Sequence, residues 1–278
     1  MKFIAALLVP FILSTPALCQ RVKLANVGTI TFNCGAMPQV CENMCFGVHC
    51  RGGKYGKTFT YDPNGPIDAR RRAAGCGPNN RCATTPPWKG QNLSCDEFPF
   101  ANLREADQGG QNNRCVPSIE NNRQGGTISA FIRSKTEFIK NQPPFLYNIA
   151  FSGAGKIQYC FDDGPNTCDA DANQWVGKAV APNGGKWVTP FRRREADLVP
   201  STFNQYMSKR GELFTSARRM EIGEKLYHAK MDPVAEAAAL ENPDEDARNA
   251  FFANPDNYEL VEDEVERPVT REEAATLP

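Results

Sequence analysis

Ten cysteines between residues 34 and 168 constrain the fold of this chain more than any other feature of its sequence. The chain has 278 residues and eleven cysteines, of which Cys19 belongs to an N-terminal leader. An even number of cysteines in an oxidising compartment predicts five disulfides, whose pairing the sequence leaves open. A zinc site with His49 beside Cys50 is the alternative, although the paired CxxC units of structural zinc sites are missing. The ten cysteines are Cys34, Cys41, Cys45, Cys50, Cys76, Cys82, Cys95, Cys115, Cys160 and Cys168.

The first nineteen residues, MKFIAALLVPFILSTPALC, have the pattern of a secretory signal peptide. Lys2 supplies the positive charge, an apolar stretch follows, and Ala17-Leu18-Cys19 forms a small-residue cleavage site ahead of Gln20. The apolar stretch is too short to span a membrane, and no later stretch approaches eighteen consecutive apolar residues. We therefore expect a soluble, secreted, extracellular chain that starts near Gln20.

Charge is distributed unevenly along the chain. Residues 20–210 contain 24 Lys and Arg against 15 Asp and Glu, whereas residues 211–278 contain 7 against 17. Such asymmetry predicts a body that faces a polyanion and an acidic tail that either keeps the chain soluble or masks the body. In the masking hypothesis, the acidic segment covers a basic cleft until it is displaced or cleaved at a dibasic pair such as Lys209-Arg210 or Arg193-Arg194.

Composition divides the chain into a signal peptide (1–19), a disulfide-rich domain (20–170), a basic extension (171–210) and an acidic C-terminal tail (211–278). The domain is rich in Gly, Asn, Pro and Cys between short apolar segments, which predicts a small disulfide-stapled α+β fold. In the tail, residues 202–240 are compatible with a helix, while the proline-broken acidic remainder is expected to be disordered or only locally helical.

Local patterns predict several elements within the domain. KTFTYD at 57–62 and RCVPSI at 114–119 are candidate strands. Helical spacing of apolar residues predicts a helix over 125–140 with Thr127 as its cap, ended by Pro143 and Pro144. Residues 145–153 and 155–163 are predicted to form a hairpin.

The segment SCDEFPFANL at 94–103 places the carboxylates of Asp96 and Glu97 side by side, against an apolar segment. Adjacent like charges resist joint ionisation, and their burial is costly unless a cation compensates. A divalent cation held by oxygen ligands would compensate, and such an ion assists phosphodiester hydrolysis. Downstream, Glu120 and Asn121 open a predicted helix and could supply further oxygen ligands. The alternatives are a loop cap or surface ion pairs for the carboxylates and a helix cap for Asn121.

The stretch from Asp96 to Gly125 resembles the signature of the NucA/NucB family of secreted deoxyribonucleases, as a fungal-like, disulfide-rich member. The matching pieces are Asp96-Glu97-Phe98-Pro99-Phe100-Ala101, Gly109-Gly110, Val116-Pro117 and Glu120-Asn121 through Gly125. The family is similar to the ββα-metal nucleases, with an acid in place of the usual catalytic histidine. Here the only histidines are His49 and His228. The resemblance implies a ββα-metal-like core and a metal-dependent endonuclease that hydrolyses DNA with Mg²⁺ or Mn²⁺.

The resemblance also implies roles for individual residues. Asp96 would be the base that activates water, Asn121 would be a metal ligand, and Glu97 or Glu120 would be a direct or indirect metal partner. Charge and proximity alone make Arg114 and Arg123 candidates for phosphate contacts. Nucleic acid, preferably DNA, is thus the expected partner. We expect no association with a membrane, and we expect the chain to be a monomer.

Two other functions remain open from the sequence. The same scaffold could serve a secreted, non-catalytic binding or effector protein, or a ribonuclease that needs no metal because it uses attack from within the substrate. Asn92-Leu93-Ser94 is a sequon that predicts N-glycosylation of Asn92, immediately before the candidate site.

Overall fold

A computed structural model of the protein describes residues 23–51, 54–138, 141–155, 157–160, 168–169, 171–180 and 203–277. The predicted signal peptide and the Arg193-Arg194 pair lie outside these residues. The strands are β1 (Asn26–Asn33), β2 (Thr58–Tyr61), β3 (Leu93–Phe98), β4 (Asn112–Pro117), β5 (Phe145–Ser152), β6 (Trp175–Val176), β7 (Ala179–Val180), β8 (Asn204–Ser208), β9 (Leu213–Ser216), β10 (Lys225–Lys230) and β11 (Glu259–Val269). The helices are α1 (Pro38–Cys45), α2 (Ile67–Ala74), α3 (Arg81–Thr84), α4 (Ser118–Arg133), α5 (Pro233–Glu241), α6 (Glu245–Ala253) and α7 (Arg271–Ala274). The predicted mixture of helices and strands is confirmed.

The larger sheet closes on itself. Its order is β1-β10-β11-β8-β9-β5, and β1 also pairs in parallel with β5, so six strands form a ring to which β2 is added at β5. Closure leaves fewer unpaired strand edges, each of which would otherwise expose backbone donors and acceptors. Aromatic side chains fill the core, and among them Phe32, Tyr147 and Phe151 are almost completely buried.

The smaller sheet has the order β3-β4-β6-β7, with β3 at one edge. β3 and β4 are antiparallel, and Asp96 lies opposite Arg114 in their register. Helix α4 begins directly after β4, so two strands and a helix follow one another in the order that the sequence predicted. Assignment of this unit to the ββα-metal nucleases remains a prediction.

Helix α4 begins at Ser118, seven residues before the predicted start, and ends at Arg133. A π-helical turn, Ser134–Phe138, follows it. Thr127 is therefore inside the helix and caps nothing. Two consecutive glycines within this helix, Gly125 and Gly126, disfavour helical structure locally. Tertiary packing outweighs them, because Phe131 packs against the rings of Tyr147 and Tyr227, with ring centroids 5.5 and 5.7 Å away.

The predicted strands at 57–62 and 145–153 are confirmed as β2 and β5. The predicted strand at 114–119 is confirmed for residues 114–117, since β4 ends at Pro117. The predicted hairpin is wrong for the residues described. Residues 158–160 form a 3₁₀ turn, and β5 pairs instead with β1, β2 and β9. A disulfide from Cys45 holds Cys160 in this turn, while residues 156 and 161–163 lie outside the described part of the chain.

All ten cysteines form disulfides, which confirms the predicted number. The pairs are Cys34–Cys41, Cys45–Cys160, Cys50–Cys168, Cys76–Cys95 and Cys82–Cys115. His49, Cys50 and Cys168 do lie close together, but the last two are bonded to each other and offer no thiolate. The zinc alternative is therefore wrong for this group.

The prediction of a helical or disordered acidic tail is only partly right for residues 203–277, because the three short helices α5, α6 and α7 are accompanied by four strands. This segment supplies β8, β9, β10 and β11, four of the six strands in the ring. Its acidic strand β11 pairs with β10 and β8, and two lysines form ion pairs with it: Lys225 of β10 with Glu262, and Lys209, just after β8, with Glu264, both at 2.5 Å. The division of the chain at residues 170 and 210 remains a prediction.

Helices α5 and α6 of the acidic segment pack against α4. Arg123 forms an ion pair with Glu236 and lies over the ring of Phe252, while Arg133 pairs with Asp256. In the described ranges, no helix has both the length and the apolar character needed to cross a membrane.

Candidate active site

A cavity of about 630 Å³ lies along the free edge of β3, between α2, α3 and α4. It brings together Asp96, Glu97 and Asn121, three of the residues that the sequence proposed for one site. Arg71 of α2 and Gln124 of α4 also line it. None of the described residues beyond 203 is among the residues that line it, so the acidic segment as described packs on α4 rather than over this cavity.

The position of β3 at the sheet edge explains how Asp96 and Glu97 reach one cavity. Successive side chains of a strand point to opposite faces of the sheet. Asp96 accordingly meets Asn43 of α1, whereas Glu97 meets Arg71 of α2. Because no further strand covers the free edge of β3, the cavity reaches both faces. The two carboxylates are adjacent in sequence yet have separate surroundings.

Asp96 is buried, with an exposed fraction of 2%. Asn43 Nδ2 donates to its carboxylate oxygen Oδ2 at 2.9 Å and to its backbone oxygen at 3.0 Å. Among the described residues, none forms an ion pair with Asp96. Burial is the main reason that the pKa of Asp96 lies well above its usual range, and the hydrogen bond from Asn43 opposes that shift. Asp96 is thus a buried carboxyl group without a cationic partner.

Glu97 has a cationic neighbour. Arg71 Nε lies 3.6 Å from its oxygen Oε1, and the Arg71 side chain is largely exposed. Burial raises the pKa of Glu97 to about 7, although Arg71 opposes the shift. Arg71 belongs to a run of three consecutive arginines, Arg70-Arg71-Arg72. The structure separates these arginines, because Arg70 is buried in ion pairs with Asp62 and Asp107.

Helix α4 presents amide side chains to the same cavity. Asn121 and Asn122 lie in its first turns, and Gln124 follows on the buried side. Gln124 faces Asp96, and its side-chain amide favours the ionised form of that carboxyl group.

Three other residues predicted for the site lie elsewhere. Glu120 is outside the residues that line the cavity; its Oε2 accepts the backbone amides of Gln39 at 2.8 Å and Val40 at 3.3 Å, at the N-terminus of α1. Negative charge is favourable there because those amides have no partner within the helix. Arg114 is buried between Glu42 and Asp171, with a 2.7 Å contact to each, and Arg123 is paired with Glu236. Neither arginine lines the cavity.

The Gly109-Gly110 loop also differs from a phosphate-binding loop. Its carbonyl oxygens accept hydrogen bonds from Arg51, Lys54 and Tyr55. These three side chains therefore hold the loop through its carbonyl oxygens, whereas a phosphate-binding loop presents its backbone N–H groups to the ligand. Phe98 and Phe100, in the apolar segment that follows the carboxylates, are buried.

A buried amide network behind Asp96 was missed from the sequence. Asn43 Oδ1 accepts from Asn112 Nδ2 at 2.7 Å and from Gln174 Nε2 at 2.9 Å, while its own Nδ2 donates to Asp96. All three amide residues are buried. One signal was available: β4 begins with two asparagines and an arginine, and so many polar residues in a fully buried strand need partners.

The oxygen atoms of the cavity suit a hard divalent cation. Mg²⁺ and Mn²⁺ prefer carboxylate and amide oxygens and retain several waters, so one or two carboxylates are enough. Asp96, Glu97 and Asn121 are the side chains of the cavity that carry such oxygens, and the first two point to opposite faces of β3. Within the described chain, however, the only cluster of three His, Cys, Asp or Glu groups close enough to hold an ion is the bridged one at His49.

The segment that forms this cavity is similar to a known protein family. Residues 44–141 match the model of the family described as Deoxyribonuclease NucA/NucB. This segment is similar to that family. The match extends from the last two residues of α1 to just beyond α4 and contains every cavity-lining residue named above. Asn43 and Gln174, which orient Asp96, lie outside it. Searches among curated proteins and among solved structures find no match.

Proposed function

We propose that the protein is a secreted, metal-dependent endonuclease that hydrolyses phosphodiester bonds of DNA. The observation that carries this proposal is the single cavity that Asp96, Glu97 and Asn121 share within the segment that matches the NucA/NucB family. The predicted signal peptide and the five disulfides support secretion. Asn92 is exposed, as a glycosylated residue must be.

Each residue has a distinct role in the proposed reaction. Asp96, held by Asn43, accepts a hydrogen bond from the attacking water and orients it. Arg71 approaches from the exposed side and contacts the phosphate, a role first assigned to Arg114 and Arg123. Asn121 and Glu97 would hold the divalent cation through their side-chain oxygens. A divalent cation, when bound, polarises the phosphodiester and lowers the pKa of water.

Plasmid nicking by the oxidised full chain, with Mg²⁺ or Mn²⁺, tests the proposal. We expect nicking that EDTA abolishes and that Asp96→Asn reduces by at least about 100-fold, the usual scale for a group that acts only in the transition state. Asp68→Asn is the matched control, because Asp68 is an exposed carboxylate on α2 that does not line the cavity. It should nick at the wild-type rate.

The alternatives predict other results. Nicking that is unchanged by EDTA contradicts the metal requirement, and cleavage of RNA but not DNA points to the ribonuclease. A folded chain that cleaves neither nucleic acid with either metal contradicts catalysis and favours the binding protein.

A further inference from the structure

A second cavity adjoins the candidate active site. Its volume is about 360 Å³, within the range of small-molecule sites, and Asn80 lines both cavities. Asn80 caps α3 by accepting the backbone amide of Cys82 at 3.0 Å, so it forms a fixed wall between them. The two cavities are therefore neighbours on either side of Asn80. A nucleic-acid strand bound in the first cavity would reach the second by passing this residue.

The wall of the second cavity is aromatic and cationic. Trp175 lines it, and the guanidinium carbon of Arg81 lies 4.6 Å from the ring centroid of Trp175 and 4.6 Å from that of Trp88. Both indoles are only partly buried. Arg81 is held by Asn173, at 2.8 and 3.1 Å, and the adjacent Cys82–Cys115 disulfide ties α3 to β4. The platform is rigid before any ligand arrives.

The charges of this cavity favour an anion. Arg81 and Lys178 line it, Lys178 is exposed, and no carboxylate is among its described lining residues. An aromatic face next to cations is an arrangement by which proteins bind single-stranded nucleic acid, because every base has a face that can stack, whatever the sequence.

We propose that this cavity binds one nucleotide of the substrate strand beside the scissile phosphate, with its base stacked on Trp175 and its phosphate contacted by Lys178. The inference rests on the proposed function, because it extends the same substrate strand. It also specifies the substrate: a stacked, unpaired base requires single-stranded or locally opened DNA. Trp88 and Arg81 act as the support of the platform.

Binding of a fluorescein-labelled twelve-nucleotide oligo(dT) to the oxidised full chain in EDTA, followed by anisotropy, tests the site without cleavage. Trp175→Ala should raise Kd about tenfold, since stacking contributes on the order of 1–3 kcal/mol per base. Trp175→Phe keeps a stacking face and should stay within about threefold of wild type. For a blunt duplex of equal length, Trp175→Ala should change Kd less than about twofold.

Lys178→Ala tests the phosphate contact. It should reduce the slope of log affinity against log salt by about 0.7, the value for one contact on a single strand. Lys57→Ala, which removes an exposed lysine that lines none of the cavities described here, is its control and should leave the slope unchanged.

The results separate this inference from the proposed function. Oligo(dT) binding that depends on Trp175 supports the site even if plasmid is never nicked. Wild-type affinity in both Trp175→Ala and Lys178→Ala overturns it even if plasmid is nicked. It is equally overturned if the wild-type chain does not bind oligo(dT), or if Trp175→Ala weakens duplex binding as much as single-strand binding.

Discussion

Asn43 donates to Asp96 twice from one nitrogen, to the side-chain oxygen at 2.9 Å and to the backbone oxygen at 3.0 Å. The contact joins α1 to the edge strand of the smaller sheet, across 53 residues of sequence. Since Asn112 and Gln174 in turn donate to Asn43, the orientation of the Asp96 carboxylate depends on three amide side chains from distant parts of the chain.

Replacement of this asparagine should therefore change the pH dependence of the proposed nuclease. A donor to a carboxylate favours its ionised form, so Asn43→Ala should raise the pKa of Asp96 further. The ionised fraction at a given pH falls, and the acidic limb of the pH–activity profile should move to higher pH. A profile of unchanged shape and position, measured on plasmid, would show that Asn43 does not act through Asp96. Thermal unfolding at each pH serves as the control for lost stability.

Lys135 should give stability a measurable pH dependence. Its Nζ is buried 2.9 Å from the centroid of the Tyr227 ring, and burial lowers its pKa from 10.5 to about 8. Between these two pH values the unfolded chain binds more protons than the folded chain, so the free energy of unfolding should rise with pH there, by at most about 1.4 kcal/mol per pH unit.

Lys135→Met removes the titration and fills the same space. Urea unfolding at pH 7.5, 9 and 10 should show the variant more stable than wild type at pH 7.5, with the difference shrinking as pH rises. A difference that stays constant over this range would mean that the lysine keeps its ordinary pKa in the folded protein.

Gly125 and Gly126 are neighbours in α4 but should respond oppositely to alanine. A Cβ on Gly125 would meet nothing within 4 Å, whereas a Cβ on Gly126 would come closer than 3.0 Å to the backbone of Phe252 and the ring of Tyr258. Gly125→Ala should stabilise the protein by about 0.5–1 kcal/mol through helix propensity. Gly126→Ala should destabilise it by about 1–3 kcal/mol, because the clash forces α4 and α6 apart. Urea midpoints measure both, and a shift of the same sign in both variants would argue against this packing.

Truncation should distinguish an integral C-terminal segment from a removable tail. A chain that ends at residue 210 lacks β9, β10 and β11, three of the six ring strands, and should show no cooperative thermal unfolding in near-UV circular dichroism. A chain that ends at residue 270 loses only α7 and should unfold like the full chain. Cooperative unfolding of the shorter chain would restore the view of a separable tail. If the chain that ends at residue 210 does not unfold cooperatively, a loss of its nuclease activity reflects the lost fold. Such a loss then says nothing about inhibition by the acidic segment.

Several features of this protein were accessible from local sequence. The number of disulfides follows from the even count of cysteines, and β2 and β5 follow from short apolar and aromatic runs. The Asp96-Glu97 pair and Asn121 were found because a chemical motif needs particular residue types at a short spacing. Each of these depends on interactions within a few neighbouring residues, or on chemistry that does not depend on the fold.

The remaining features depend on pairing between distant segments. The acidic stretch 259–269 becomes a strand because it pairs with β10 on one side and with β8 on the other, and α4 tolerates two glycines because aromatic rings and α6 cover it. Likewise, charge alone could not tell Arg71, whose side chain stays largely exposed beside Glu97, from Arg114 and Arg123, which are buried in ion pairs. Such contacts join residues that are far apart along the chain. Their contribution to the free energy of folding can therefore be judged only once the strands and helices are assembled.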